Sequence, residues 1–262
     1  MPRATTLSRL LLAAAAVSPA VQAQEPASNE WRFSLGAAVA SVPEFPGSDQ
    51  QKTRAVPIFS ASYGRYFLGP VPGGGPLGIG ATLYEAGGLR LGAAISSDIG
   101  KLREENDDPR LAGLGDIERT QRAHLFASYG FGRYKLSAGV APDIGGKDLG
   151  TLVSLEAEAM FQPADRWSLA VGPGLTWGNQ RYMRTVFGID AQQSARSGRA
   201  VYDPGAGVGL VRLSGTLNYQ LDAHWNLGAR LSFGRLQGDA GDSPLVFDKS
   251  QTSGLLYASY RF

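Results

Sequence analysis

The side chains able to do chemistry fall into a few small groups. Asp239, Asp242 and Ser243 lie in the run Gly238-Asp239-Ala240-Gly241-Asp242-Ser243-Pro244. Two carboxylates beside a hydroxyl suggest a Ca²⁺ loop or an activated nucleophile. The run is shorter than an EF-hand loop and lacks its closing Glu, and Ser243 is not in a Gly-x-Ser-x-Gly turn. A tight polar turn is the expectation. His124 and His224 are the only histidines. A Ser-His-Asp set would need one of them, and no motif marks it. Glu156 and Glu158 lie two apart on an alternating segment and so point the same way. That spacing suits either acid–base work or fixed charge in a lumen. The acidic run Glu104, Glu105, Asp107 and Asp108 could attract divalent cations but reads as a solvated loop. Gly73-Gly74-Gly75 lacks the Gly-Lys-Ser/Thr of a phosphate loop. There is no cysteine, which removes disulfides and thiolate metal sites. No catalytic residue, cofactor or metal site is therefore expected.

The elements that must carry these residues alternate with period two. In the last stretch, Trp225, Leu227, Ala229, Leu231 and Phe233 share one face. Leu256, Ala258, Tyr260 and Phe262 do the same up to the carboxyl terminus. Such alternation places one face in an apolar medium and the other in a polar one. The pattern recurs along the chain, beginning with Trp31, Phe33, Leu35, Ala37 and Val39. Short turns are expected at Tyr63-Gly64-Arg65, Ala86-Gly87-Gly88, Gly130-Phe131-Gly132, Pro163-Ala164-Asp165 and Asp222-Ala223-His224. Longer connections are expected at 42–54, 70–76, 100–119, 143–150, 178–204 and around Gly238.

Beyond the amino terminus no stretch approaches the roughly 20 apolar residues of a spanning helix. Barrel strands cross a membrane without one. Met1–Ala23 reads as a secretory signal peptide: Arg3 and Arg9, the apolar Leu10–Val17, then Val21-Gln22-Ala23 as a small-x-small cleavage site. The mature barrel would occupy 24–262. Single-chain bacterial barrels have an even strand number, short periplasmic turns and longer outer loops. Counting back from the carboxyl terminus gives a transmembrane antiparallel up-and-down β-barrel of about 12 strands, with about 10 as the fallback. Trp31, Trp167 and Trp225 fall at strand starts, and Tyr129, Tyr219, Tyr260 and Phe262 near strand ends, as in an interfacial girdle. The alternative is a soluble sandwich or lipocalin-like barrel with those rings in its core. That would bury the charges of the other face.

With the apolar set toward lipid, Arg32, Arg90, Arg122, Lys135, Glu156, Glu158, Arg212, Arg230 and Arg261 point inward. They would select solutes in a pore or pair across strands in a plugged interior. Leu256, Ala258, Tyr260 and Phe262 resemble the signal that the barrel assembly machinery reads. A formal charge of +2 gives no argument for nucleic acid.

Several stretches carry a more specific likeness. They are Pro43-Glu44-Phe45-Pro46-Gly47-Ser48, Leu111-Ala112-Gly113-Leu114-Gly115-Asp116-Ile117, and Phe187-Gly188-Ile189-Asp190 with Tyr202-Asp203. The strongest is His224-Trp225, then Arg235-Leu236-Gln237 leading into Gly238, Asp239, Asp242, Ser243 and Pro244, and the closing Tyr260-Arg261-Phe262. With these the chain resembles the MltA-interacting protein (MipA/OmpV) family of outer-membrane proteins over essentially its mature length. The resemblance implies an outer-membrane location and no catalytic residues. It also implies a scaffold that joins a lytic transglycosylase to a peptidoglycan synthase at the periplasmic face. A charged-lumen solute pore and a surface adhesin using the long outer loops remain the alternatives.

Overall fold

A computed structural model describes residues 30–72, 75–98 and 101–262. The leader expected at Met1–Ala23 and the glycines Gly73 and Gly74 lie outside these residues. The chain forms a closed barrel of twelve antiparallel strands, each paired with its sequence neighbours, with the first paired to the last. They are β1 Trp31–Pro43, β2 Gln51–Tyr63, β3 Tyr66–Pro70, β4 Leu77–Ala86, β5 Leu89–Ser97, β6 Gln121–Phe131, β7 Tyr134–Pro142, β8 Thr151–Ala164, β9 Trp167–Gly178, β10 Gly207–Gln220, β11 Trp225–Leu236 and β12 Ser250–Arg261.

Side chains sort as period two requires. Outward residues such as Ile79, Ile95, Leu125 and Leu256 are more than half exposed. Their inward neighbours are mixed: Gly78 and Gly80 beside Ile79, Ala94 and Ser96 beside Ile95, His124 and Phe126 beside Leu125, while Glu156, Arg212 and Arg230 face the same interior from other strands. A soluble barrel would show the reverse, so the lipocalin-like alternative fails on this arrangement. A belt of apolar surface this large belongs against lipid. Aromatic rings gather at the short-turn end. Trp31 stacks on Phe33 at 5.3 Å, Trp167 meets Tyr219 at 4.6 Å, and Tyr260 lies between Trp225 and Phe262 at 5.2 and 5.0 Å.

Several boundaries differ from the sequence reading. β1 runs to Pro43 and β2 begins at Gln51, so the first loop is shorter than 42–54. The strands continue beyond the belt, where neither face need be apolar and the alternation fades. The turn expected at Gly130-Phe131-Gly132 falls at Gly132-Arg133, because Phe131 still pairs with Tyr134 and Gly132 takes φ of +55°. The turn expected at Pro163 falls at Asp165-Arg166. Pro163 instead occupies an irregularity between Phe161 and Ala164, where its missing N–H is tolerated.

The long connections are not plain loops. Two 3₁₀ turns, Glu105–Asp107 and Pro109–Leu111, lie between β5 and β6. Helices α1 Gln180–Phe187 and α2 Ala191–Ser197 lie between β9 and β10. Their starts are capped by Asn179, whose side chain accepts from Tyr182 N–H, and by Asp190, which forms a capping box with Gln193. The supposed tight turn at Gly238 is a helical turn, α3 Gly238–Gly241.

Candidate functional site

The barrel has three zones that could act: a roof, a lumen and a periplasmic mouth. By the rule of long outer loops and short periplasmic turns, the roof is the outer end. One of its apolar clusters contains Phe45 from the β1–β2 loop, Leu111 and Leu114 from β5–β6, Ile189 from β9–β10 and Leu245 from β11–β12. Three of those loops are spaced four strands apart around a ring of twelve. Residues that far apart on the rim can share a cluster only over the mouth. A second cluster joins Met183, Val186 and Phe187 of the α1 segment to Leu236 and Ala240. Leu111 and Met183 are fully buried, as in the core of a water-soluble domain.

Polar contacts fasten the same roof. Arg110 bridges Asp49 at 2.6 Å and Asp108 at 2.7 Å. Its guanidinium holds both carboxyls below the usual range and is itself held protonated. Lys101 pairs with Asp116 at 2.6 Å, which raises the lysine and lowers the carboxyl. Arg103 is buried, and burial pushes it down to about 10, so it stays charged at neutral pH. One of its amino groups donates to the Val186 carbonyl near the end of α1 at 3.3 Å, while its Nε finds no partner among the described residues. Asp143 begins the β7–β8 loop. Burial would raise its carboxyl, but the Thr120 hydroxyl and the N–H groups of Leu149 and Gly145 bring it below its ordinary value.

The residues singled out for chemistry are largely spent here. Asp239 accepts from Gly205 N–H at 2.7 Å, and Asp242 pairs with Lys249 at 2.8 Å. Ser243 donates to the Phe187 carbonyl at 2.6 Å, and Pro244 accepts from Arg199 at 3.2 Å. The loop that includes Gly238 is therefore a clasp between β11, α1 and the β9–β10 loop. In the acidic run, Asp107 pairs with Lys52, Glu105 accepts from Gly115 N–H at 3.1 Å, and Asp108 is committed to Arg110. Among the described residues no group of His, Asp and Glu is placed to hold a metal ion.

In the lumen, Arg212 forms an ion pair with Glu156 and donates to Thr176 at 3.1 Å. Lys135 stands opposite Glu158 on the neighbouring strand, and Arg230 donates to Thr216 at 3.3 Å. Arg122 is different: its guanidinium donates to the carbonyls of Ala141, Leu149 and Gly150 and pins the β7–β8 loop. Nearby, His124 Nε2 and Ser96 Oγ are 2.7 Å apart and both residues are buried. Sequence reasoning missed this contact, since the two residues lie 28 positions apart and nothing between them signals it. Among the described residues no carboxylate hydrogen-bonds the imidazole, so the pair lacks the orienting third group of a hydrolase.

At the periplasmic end, Arg90 pairs with Glu85 at 2.7 Å. Arg32 and Arg261 line a polar recess of about 510 Å³ with Ser34, Ser60 and Ser62. His224 sits in the β10–β11 turn, stacked on Tyr260 at 5.3 Å. The N–H groups of Trp225 and His224 donate to Asp222 and lower its carboxyl. The terminal Phe262 still donates its N–H to the Phe33 carbonyl at 3.1 Å.

A family model described as MltA-interacting protein MipA matches residues 35–262. The chain is 27% identical over 243 residues to the MltA-interacting protein of Escherichia coli (strain K12), covering 89% of this chain and 91% of that protein. The Shigella flexneri protein of the same name matches equally. Among solved structures, the NanC porin matches with a TM-score of 0.45 at 8% identity, over 87% of this chain and 98% of that one. Outer-membrane expressed OmpT of Vibrio cholerae matches with a TM-score of 0.40 at 9% identity, over 89% and 97%.

Proposed function

The chain belongs to the MltA-interacting protein MipA family, and from that premise we propose that it is a non-enzymatic scaffold of the outer membrane. Its periplasmic rim docks a lytic transglycosylase of the MltA kind, the partner for which its relatives are named. The observation that supports this reading is the roof. Loops from around the ring close over the outer mouth, while among the described residues the opposite end carries short turns and a polar recess. The periplasmic rim is then the surface left to meet soluble enzymes.

The test is capture of purified MltA-type transglycosylase by the refolded barrel. Asp165→Lys together with Arg133→Glu alters two of the short turns. Loss of capture with the barrel still heat-modifiable supports docking there, and undiminished capture removes these turns from the interface. Conductance in a planar bilayer tests the competing pore. The roofed barrel should be silent, and a steady current whose ion selectivity shifts with Arg230→Glu would overturn the scaffold as the primary role.

A further inference from the structure

The wall of the barrel is uneven. β2 has thirteen residues and pairs with β1 along all of them, but β3 has only five. β2 and β3 pair at three positions, Ala61–Leu68, Ser62–Phe67 and Tyr63–Tyr66. The next rungs of that register would be Ser60 with Gly69 and Phe59 with Pro70. They are not formed, and Pro70 has no N–H to offer. After Pro70 the chain turns back at once, with Gly75 N–H donating to the Val71 carbonyl at 3.0 Å, and β4 starts at Leu77. Gly69 still lies against Ser60, and beyond it, among the described residues, no strand takes the edge of β2 from Gln51 to Phe59. That edge is on the order of 30 Å long. Pro57 lies within it, as suits a strand edge.

The seam faces the lipid belt, since Leu77, Ile79 and Ile95 beside it are exposed apolar residues. By strand parity the inner face of β2 carries Lys52 and Arg54 toward the roof, then Val56 and Ile58, then Ser60. Level with Val56 and Ile58 the lumen is apolar, and beyond them Phe67, Val71, Ala94 and Phe126 form a cluster. Phe67 and Phe126 meet edge to face at 6.0 Å. Gly92 permits this, because a Cβ there would lie 2.2 Å from the Phe126 ring. The opposite wall carries Glu156, Arg212 and Arg230 instead. An unpaired edge in hydrocarbon is tolerated only where it lines a cavity or is covered. We propose that this seam is a lateral opening through which a hydrocarbon chain from the outer leaflet reaches the apolar side of the lumen. The roof shuts the direct route from outside, and the membrane itself supplies the occupant.

The test places the unaltered chain in nanodiscs of phospholipid bearing a diazirine in the acyl chain and maps the photoadducts. Adducts on Val56, Ile58 and Phe67 are expected in addition to those on Ile79 and Ile95. Adducts confined to the outward residues would overturn the opening. The chain has no cysteine, so Phe59→Cys with Pro70→Cys can zip the seam. Oxidation should abolish the inward adducts and leave the outward ones, with reduction restoring them. Inward adducts that persist in the oxidised barrel would refute passage through this seam.

Discussion

The wall and the roof obey opposite rules of burial. In the wall, apolar side chains face out and the interior is polar, with Arg212 beside Glu156 and Ser214 donating to Ser232 at 2.9 Å. In the roof, Leu111, Met183 and Ala240 are wholly enclosed, and apart from the buried Arg103 and Asp108 the charges lie at the periphery in pairs. The wall depends on strand ladders and on lipid, whereas the roof depends on its own core. One chain thus contains a membrane fold and a small water-type core that meet at the outer strand ends, where Leu236 of β11 joins the roof cluster, and the two should fail separately.

The largest effect expected is in the roof. Leu111→Ala should cost about 3 kcal/mol locally. Proteolysis should then cut the 101–120 and 179–206 connections while the barrel keeps its heat-modifiable mobility. Collapse of both together would show that the two regions form one cooperative unit. Next is the lumen. Glu156→Ala leaves the Arg212 guanidinium with Thr176 alone, and a cost of about 2 kcal/mol is expected for this partly hydrated pair. Adding Arg212→Met should recover most of it, measured by urea unfolding of the refolded barrel.

Acid should separate the regions as well. The carboxyls of Asp49 and Asp108 sit lower in the folded chain than in the unfolded one, because Arg110 binds their charged forms. Their contribution is complete above the unfolded value near pH 4 and is lost as pH falls through the folded values. Pepsin cleavage of the roof should therefore rise steeply below about pH 4, and less steeply in Asp108→Asn. The smallest effect is at the outer surface. Arg181 and Asp148 pair at 2.9 Å but are largely exposed, so Arg181→Ala should change stability by no more than about 0.5 kcal/mol.

The same division explains what could be read from sequence. Twelve strands and their phase were legible because lipid on one side and water on the other impose alternation on every residue from Trp31 to Val39 and its later counterparts. The short hairpin at Tyr66, with its few residues, was visible only through strand parity. The roof was not legible. Its helices are seven and eight residues long, and its core is gathered from loops as distant as Phe45 and Leu245, with no period to announce it. The polar residues that looked like chemistry, Asp239 and Ser243 above all, serve as fasteners. That role depends on Gly205 and Phe187, distant partners that no local spacing reveals.

The pairing of β1 with β12 has a consequence in time. Ser34 pairs with Arg261 and Ser41 with Gly254, and Gly47 N–H donates to the Gln251 side chain, 204 positions away. Contacts so remote in sequence form slowly, since a long stretch of chain must first be brought together. The ring cannot shut until β12 has arrived, so a chain that lacks it also carries the open edges of β1 and β11. Arrival of β12, rather than collapse of any earlier part, is the event that closes the ring.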